Sequence, residues 1–294
     1  MGAREPTDCG AALTAIGLDI GGTSIKAALV RGRAVVSTTR SISYERPSRS
    51  ELQSCLEQVC AALGELSDVE RVGLCLPGIL APDRSMVVHA VNIPGLEGVP
   101  LGELVRQVLG RALPCRVFND AHASTFGYWM ENPGEDRLLG LALGTGIGAC
   151  VLDGGQWLRV TGASSGHIGQ IDVGPCSDTQ PLGPDGGRNS LEGYLGIAAL
   201  RDRYGEGFAD RIGQLGMDEP PMKALIRAVR ICHAIYQPAR VVLLGGVGIR
   251  MAGQRAELRE AISCELTCVA VDGWTLEAGS SDYHAAAGAA WLAR

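Results

Sequence analysis

The 294-residue chain lacks any run of 18 or more uncharged apolar residues, which a membrane-spanning helix would need. Its first 15 residues also lack the basic-then-apolar order of a secretory signal peptide. The 26 lysines and arginines are outnumbered by 32 acidic residues, giving a net charge of −6, and no basic patch is interleaved with aromatic residues. These absences predict a cytoplasmic protein with neither a membrane nor a nucleic acid as partner.

The ten cysteines include no C-x-x-C pair. The pairs Cys55 with Cys60 and Cys264 with Cys268 have the wrong spacing for a metal clamp, and no histidines lie nearby. Several of the cysteines lie inside apolar runs such as residues 72–76. We therefore interpret them as buried free thiols in a reducing compartment.

The length and the 46% hydrophobic content are sufficient for two domains with sizeable cores. Apolar periodicity along the chain alternates between strand-like and helix-like segments, which predicts an α/β fold. Predicted helices span 50–66, 101–109, 120–130, 190–204, 221–236 and 283–292, and predicted strands outside the glycine-rich stretches span 71–76, 115–118 and 241–244.

Two glycine-rich stretches, residues 16–30 and 139–152, share one plan: a strand, a tight Gly/Thr turn, a second strand and a further short turn into a third strand. Glycine permits positive φ and lets backbone N–H groups approach a guest, and the threonine hydroxyl adds a donor. Two such turns predict a pair of phosphate-binding cradles, framed in the first copy by Asp19 and Lys26. The alternative is a pair of ordinary hairpin turns.

Five motifs in order complete this pattern. They are Asp19–Lys26 (DIGGTSIK), Val91–Gly95 (VNIPG), Phe118–Ala121 (FNDA), Leu143–Gly148 (LGTGIG) and Leu243–Val247 (LLGGV). From about residue 15 to residue 294 the chain resembles the ROK family, which contains bacterial repressors, open reading frames and sugar kinases. The resemblance implies the two-lobed, actin-like ATPase fold of actin, hexokinase and Hsp70, which is ribonuclease H-like, with ATP and sugar in the cleft between the lobes.

The resemblance also divides the chain. It implies an N-terminal lobe of residues 1–118, on which the C-terminal helix 283–294 packs, and a C-terminal lobe of residues 119–282. The implied activity is ATP-dependent phosphorylation of a small-molecule sugar by a glucokinase-like carbohydrate kinase that requires Mg²⁺. Glucose ranks first by family frequency, before fructose, mannose and N-acetylated hexosamines. A homodimer is the assembly that the family suggests.

Asp120 is the implied catalytic residue, a general base for the attacking sugar hydroxyl. Its alternative role is to cap the helix that follows. Asp19 is implied to hold Mg²⁺ through water, and Lys26 to add charge near the phosphates, unless it is simply a solvated lysine on a hairpin. The implied nucleotide-binding residues are Asp19, Gly21, Gly22, Thr23, Lys26, Gly144, Thr145, Gly146, Gly245 and Gly246.

The implied sugar ligands are Asn92, Asn119, Asp120, His167, Gln170 and Glu192. The family's usual Gly-Glu-Ile-Gly-His run is replaced here by Gly-His-Ile-Gly-Gln at residues 166–170. Residues 183–192 align with the family's zinc-binding cysteine motif, but they contain no cysteine, and only Glu192 of its sugar-binding acids remains. We therefore predict no structural zinc, and a loop over 175–189 held by turns instead.

Because histidine at position 167 replaces the family's glutamate, a carboxylate is lost, which should weaken or redirect hexose recognition. Three functions remain open: a sugar kinase, a repressor of the same family, and a sugar- or nucleotide-binding sensor without turnover. Only about 15 residues precede the first predicted strand, which is too few for a helix-turn-helix. The kinase is favoured because Asp120, both turns and Glu192 are retained; an atypical or N-acetylated sugar is an alternative substrate.

Overall fold

The structure, a computed structural model, describes residues 13–90, 93–160, 166–184 and 186–294. Its strands are β1 (Thr14–Ile20), β2 (Ile25–Arg31), β3 (Ala34–Arg40), β4 (Arg71–Cys75), β5 (Ile79–Leu80), β6 (Val87–His89), β7 (Cys115–Phe118), β8 (Leu138–Leu143), β9 (Ile147–Asp153), β10 (Gln156–Trp157), β11 (Arg240–Leu244) and β12 (Thr275–Ala278). Its helices are α1 (Arg49–Ala62), α2 (Leu101–Leu109), α3 (Asp120–Glu131), α4 (Leu191–Leu195), α5 (Ile197–Tyr204), α6 (Phe208–Arg211), α7 (Pro220–Tyr236), α8 (Gly245–Arg250), α9 (Arg255–Glu265) and α10 (His284–Ala293).

Two compact units divide the chain. The first comprises the residues up to Val117 together with Ala289–Arg294, and the second is Phe118–Gly288. Within the first unit, Trp291 of α10 donates a hydrogen bond from Nε1 to the carbonyl of Gly32 at 3.2 Å. The start of α10 belongs to the second unit.

Each unit contains a five-stranded mixed sheet with the same order. The first sheet runs β3-β2-β1-β4-β7 and the second β10-β9-β8-β11-β12. In both, an antiparallel hairpin is followed by a parallel neighbour of its first strand, namely β1 with β4 and β8 with β11. The predicted α/β fold is confirmed, and it consists of mixed sheets packed with helices.

The core of each unit is built from the apolar faces of its helices against its sheet. In the first unit α1 buries Leu52, Leu56 and Val59 against residues of β1, β2 and β4. In the second unit α7 buries a longer apolar face, including Leu225 and Val229, with strands β8 and β11. This burial of apolar surface fixes the strand ends from which the glycine turns project.

Two predicted helices differ from those in the structure. Helix α1 ends at Ala62 rather than near Leu66, because Gly64 takes the left-handed backbone (φ +99°) that stops a helix. The helix predicted over 190–204 is two helices, since Gly196 is extended (φ −63°, ψ 153°) between α4 and α5. Helix α9 and strand β12 were not predicted. No helix in the described ranges is long and apolar enough to cross a lipid bilayer.

Candidate active site

Asp120 stands at the head of α3, directly after strand β7. The helix cap is Asn119, whose side-chain oxygen accepts a hydrogen bond from the amide of Ala121 at 3.0 Å. Asp120 is the first helical residue, and its Oδ1 also accepts from that amide at 2.8 Å. The alternative in which Asp120 is the cap is therefore wrong: Asn119 fills that position, and Asp120 only shares its donor.

The pKa of Asp120 is raised above the ordinary aspartate value because the protein partly desolvates the half-buried carboxyl group. The amide of Ala121 and the charge of His167 act in the opposite direction and favour the carboxylate. Asp120 thus combines a fixed orientation with increased basicity, which are the properties that a general base needs.

The segment 166–170 runs beside β9. Gly166 accepts a hydrogen bond from the amide of Ala149 at 2.7 Å, in a left-handed conformation (φ +88°). A Cβ at this position would lie 2.0 Å from the Ala149 carbonyl oxygen, so only glycine fits. This attachment exposes His167 and Gln170 at the two ends of a short 3₁₀ turn, Ile168–Gln170.

Glu192 lies in the first turn of α4. Its Oε2 accepts a hydrogen bond from the amide of Ile147, the first residue of β9, at 2.8 Å. A Cβ at Gly148 would lie 3.8 Å from Oδ1 of Asp120, so the start of β9 also borders Asp120. The second unit thus brings together four of the predicted features: Asp120, His167, Glu192 and the turn 144–146.

The second glycine turn connects β8 to β9. The amide of Gly144 donates to the carbonyl of Gly146 at 3.1 Å, and Thr145 and Gly146 are exposed. Glycine permits positive φ, but neither Gly144 and Gly146 nor Gly21 and Gly22 adopt it. In the second turn the glycines instead leave space: the nearest atom to a Cβ would be 3.9 Å away at Gly144 and 3.6 Å away at Gly146.

The first glycine turn connects β1 to β2, with the Gly21 amide bonded to the Ser24 carbonyl at 3.1 Å. In the described part of the chain the amides of Gly22 and Thr23 have no acceptor, as anion-binding amides would require. Lys26 pairs with Asp19 across β1 and β2, with Nζ 3.8 Å from Oδ2. The Lys26 side chain is only 17% exposed, so the alternative of a solvated hairpin lysine is wrong.

Gly245 and Gly246 lie where β11 passes into α8. Gly245 takes a left-handed backbone (φ +75°), and a Cβ there would lie 2.4 Å from the carbonyl oxygen of Leu143. This glycine is therefore required by the fold itself. At Gly246 the nearest atom to a Cβ is Nη1 of Arg250, at 3.4 Å, and this flexible group donates to the Gly246 carbonyl at 2.7 Å.

The loop that aligns with the zinc motif is held by backbone turns and by Arg227 of α7. The Gly183 amide donates to the Gly187 carbonyl at 2.8 Å. Nη1 of Arg227 donates to the carbonyls of Val173 and Pro175 at 3.0 and 2.9 Å. Within the described ranges, no three His, Cys, Asp or Glu side chains are grouped so as to hold a metal ion.

Sequence reasoning missed three residues that hold the site. Tyr44 bonds the first turn, since its hydroxyl donates to the Gly21 carbonyl at 2.7 Å and its amide to the Thr23 carbonyl at 2.9 Å. The Ile197 amide donates to the carbonyl of Gly144 at 3.2 Å, and Arg227 holds the loop. Of these contacts, only that of Ile197 has a signal in the sequence, because Gly196 interrupts a helical pattern directly before it. Asn92 lies outside the described residues.

Comparison with known proteins agrees with this geometry. The model of the ROK family matches residues 15–294. The chain belongs to the ROK family. The resemblance stated from the sequence motifs is thereby confirmed.

Individual ROK proteins resemble the chain over most of their length. Glucokinase of Thermotoga maritima is 29% identical over 280 residues, covering 82% of this chain and 84% of the relative. N-acetylmannosamine kinase of Escherichia fergusonii is 25% identical over 251 residues, covering 81% and 84%. The crystal structure of a ROK glucokinase from Streptomyces griseus, in complex with glucose and AMPPNP, superposes with a TM-score of 0.72 at 23% identity, covering 96% and 99%. The actin-like fold is thus confirmed.

Proposed function

We propose that this protein is an ATP-dependent sugar kinase that transfers the γ-phosphate of ATP to a hexose hydroxyl. The observation that carries the proposal is Asp120, a carboxylate of raised pKa at the head of α3, with Asn119 as the helix cap. Membership of the ROK family and the glucokinase and N-acetylmannosamine kinase relatives support it.

Asp120 accepts the proton of the attacking hydroxyl as that oxygen bonds to the γ-phosphorus and ADP leaves. The hydrogen bond to the Ala121 amide fixes the carboxylate rotamer, so the acceptor is oriented before the sugar arrives. The exposed side chain of Asn119 lies next to it in sequence, where it contributes to sugar binding.

The phosphates of ATP are bound by backbone amides. Thr145 and Gly146 are exposed in the second turn, and Gly22 and Thr23 of the first turn offer a comparable pair of amides. Gly245 and Gly246 let the nucleoside approach the start of α8, where the amides of a helix N-terminus add a positive dipole.

Asp19 fits a magnesium ion held through water. Its carboxylate ends β1 beside the first turn and is 15% exposed, and hard oxygen ligands of this kind suit Mg²⁺. When bound, the ion neutralises charge on the phosphates. Lys26 pairs with the same carboxylate and restricts it to one side of the hairpin. An Asp19→Asn variant should need about tenfold more Mg²⁺ for half-maximal rate.

The sugar is recognised by Glu192, by His167 and Gln170, and by Asn92 in the family motif. The carboxylate that the family has at position 167 is replaced by an imidazole, which can donate as well as accept. Since a charge-assisted acceptor is lost, we expect weaker binding of an unmodified hexose. N-acetylated hexoses are therefore alternative substrates to glucose.

The test is ADP release in a coupled assay with Mg-ATP across hexoses and N-acetylhexosamines. Wild-type protein should turn over one sugar, and Asp120→Asn should lower kcat by about 10²- to 10⁴-fold. Glu260→Gln, which alters an exposed carboxylate on α9, is the matched control and should keep full activity. Unchanged turnover by Asp120→Asn would remove Asp120 from the chemistry.

A sensor without turnover is the second candidate, and the replacement of the family's acid and histidine by His167 and Gln170 favours it. It predicts ATP and sugar binding by calorimetry with no ADP release. We further propose a cytosolic homodimer, as the family resemblance suggests. Light scattering that gives the mass of a single 30.7 kDa chain at assay concentration would contradict the dimer.

A further inference from the structure

Glu192 contacts the second glycine turn as well as the proposed sugar segment. Its Oε2 accepts from the amide of Ile147, which directly follows Gly144-Thr145-Gly146. Gly146 is the nearest turn residue to the carboxylate, with a Cβ position 3.6 Å from Oε2 and 3.9 Å from Oε1. A hydrogen bond to a charged acceptor is stronger than one between neutral groups, so this contact fixes where β9 begins.

The same stretch of chain holds the other end of the turn. The amide of Ile197, the first residue of α5, donates to the Gly144 carbonyl. The Ile197 contact depends on the break at Gly196. A Cβ at Gly196 would also lie 2.8 Å from the Glu192 carbonyl oxygen and 3.0 Å from its Cγ. An uninterrupted helix over 190–204 would not direct the Ile197 amide to the turn, because that amide would bond within the helix.

Glu192 also borders the segment that carries His167 and Gln170. A Cβ at Gly169 would lie 2.7 Å from Oε2 of Glu192 and 2.7 Å from the carbonyl oxygen of Ile147. One carboxylate therefore packs against both the sugar segment and the turn. A carboxylate can accept from more than one donor, so a sugar hydroxyl and the Ile147 amide can share it.

We propose that Glu192 and the Ile197 amide are positioning groups that set the shape of the phosphate-binding turn 144–146, so that nucleotide affinity depends on them even when no sugar is present. This inference rests on the proposed function, because it assigns ATP to that turn. It differs from a role as sugar ligand alone, which would leave nucleotide binding unchanged.

The experiment is calorimetric titration of Mg-ATP, without sugar, into wild type and three variants. Glu192→Ala removes the acceptor and should weaken ATP binding about tenfold. Glu192→Gln keeps an oxygen that can accept from the Ile147 amide and should recover most of the loss. Ile197→Pro removes the second contact at a helix position that tolerates proline, and should also weaken binding.

Glu219→Ala is the matched control. Its carboxylate likewise accepts from a backbone amide in the second unit, that of Gly216 at 3.0 Å, but it lies outside the turn. It should lower stability while ATP affinity stays at the wild-type value. Far-ultraviolet circular dichroism of each variant establishes that the protein is folded before titration.

Wild-type affinity in both Glu192→Ala and Ile197→Pro, with only the KM for sugar raised in the former, would overturn the inference and leave the proposed kinase intact. Equal losses in Glu192→Gln and Glu192→Ala would also overturn it, because a side-chain oxygen able to accept from the Ile147 amide would then restore no ATP binding. Failure of the wild-type protein itself to bind ATP would instead refute the proposed function, and the inference with it.

Discussion

The two glycine turns share a strand plan but are held in different ways. Tyr44, which follows β3 of the same sheet, bonds the first turn at Gly21 through its hydroxyl and at Thr23 through its amide. The second turn is held by Glu192 and Ile197, which lie about 50 residues further along the chain. The first turn is thus a local structure, whereas the second depends on the same residues that border the proposed sugar segment.

The two proposed functional aspartates, Asp19 in the first unit and Asp120 in the second, have different charged neighbours. Asp19 pairs with Lys26, whose Nζ lies 3.8 Å from Oδ2 of the aspartate. Asp120 instead lies near His167, whose charge lowers the pKa of the Asp120 carboxyl group. Because desolvation raises the pKa of Asp120, we expect pH to act mainly on the second unit. We also expect mutations of the second turn to affect function more than those of the first.

The largest effect is expected for alanine in the second turn. Gly144→Ala adds a methyl group that meets no protein atom within 3.9 Å, so stability should stay unchanged. The methyl projects where phosphate must approach, and ATP binding should lose about 1–3 kcal/mol. Calorimetry for ATP and thermal unfolding measure the two quantities.

Gly140→Ala in strand β8 is the opposite control. Its Cβ would lie 1.9 Å from Oγ1 of Thr125, so we expect about 3 kcal/mol of destabilisation through overpacking. If Gly144→Ala destabilised the fold as much as Gly140→Ala, the glycine would be structural and the contrast between the positions would be lost.

A smaller effect is expected for the first turn. Tyr44→Phe removes the hydroxyl that donates to the Gly21 carbonyl, but it keeps the ring and the backbone bond to Thr23. The free energy of unfolding should fall by about 1 kcal/mol, measured by urea denaturation. ATP affinity should change less than in Glu192→Ala; a larger loss in Tyr44→Phe would reverse the proposed difference between the turns.

The smallest effect is a shift in pH dependence. Asp120 must be ionised to accept a proton, so kcat/KM should fall as pH drops through its raised pKa. His167→Asn removes a charge that lowers this pKa, so the acidic limb should move to higher pH. Gln170→Ala, which removes a neutral side chain, is the control and should leave the limb in place. If the acidic limb of the kcat/KM profile stayed in place in His167→Asn, His167 would have no effect on the pKa of the general base, Asp120.

Sequence patterns predicted some elements to the residue and missed others for identifiable reasons. Helix α2 has its predicted bounds, and the structure shows why they are sharp: Pro100 precedes it and the left-handed Gly110 ends it. Helix α9 was missed because its mainly polar sequence buries only Leu258 and Ile262. Strand β12, with four residues, is too short for a clear alternation.

The candidate site divides in the same way. Asp120, His167 and Glu192 were found because side-chain identity carries the family motifs. The hydrogen bonds of the Ile147 and Ile197 amides were not found. Every residue except proline has a backbone N–H group, so residue type does not reveal which of them donates to the site. The sequence indicated that the glycines at 144 and 146 let a guest approach the backbone, and the structure shows open space at both, without positive φ.

The most direct test of the proposed activity is to incubate the protein with Mg-ATP and each candidate sugar and to follow the products by phosphorus nuclear magnetic resonance. We expect wild type to form a sugar phosphate and ADP in equal amounts, and Asp120→Asn to form neither. ATP that stays bound and intact beside every sugar, or ADP that forms without a sugar phosphate, would contradict it.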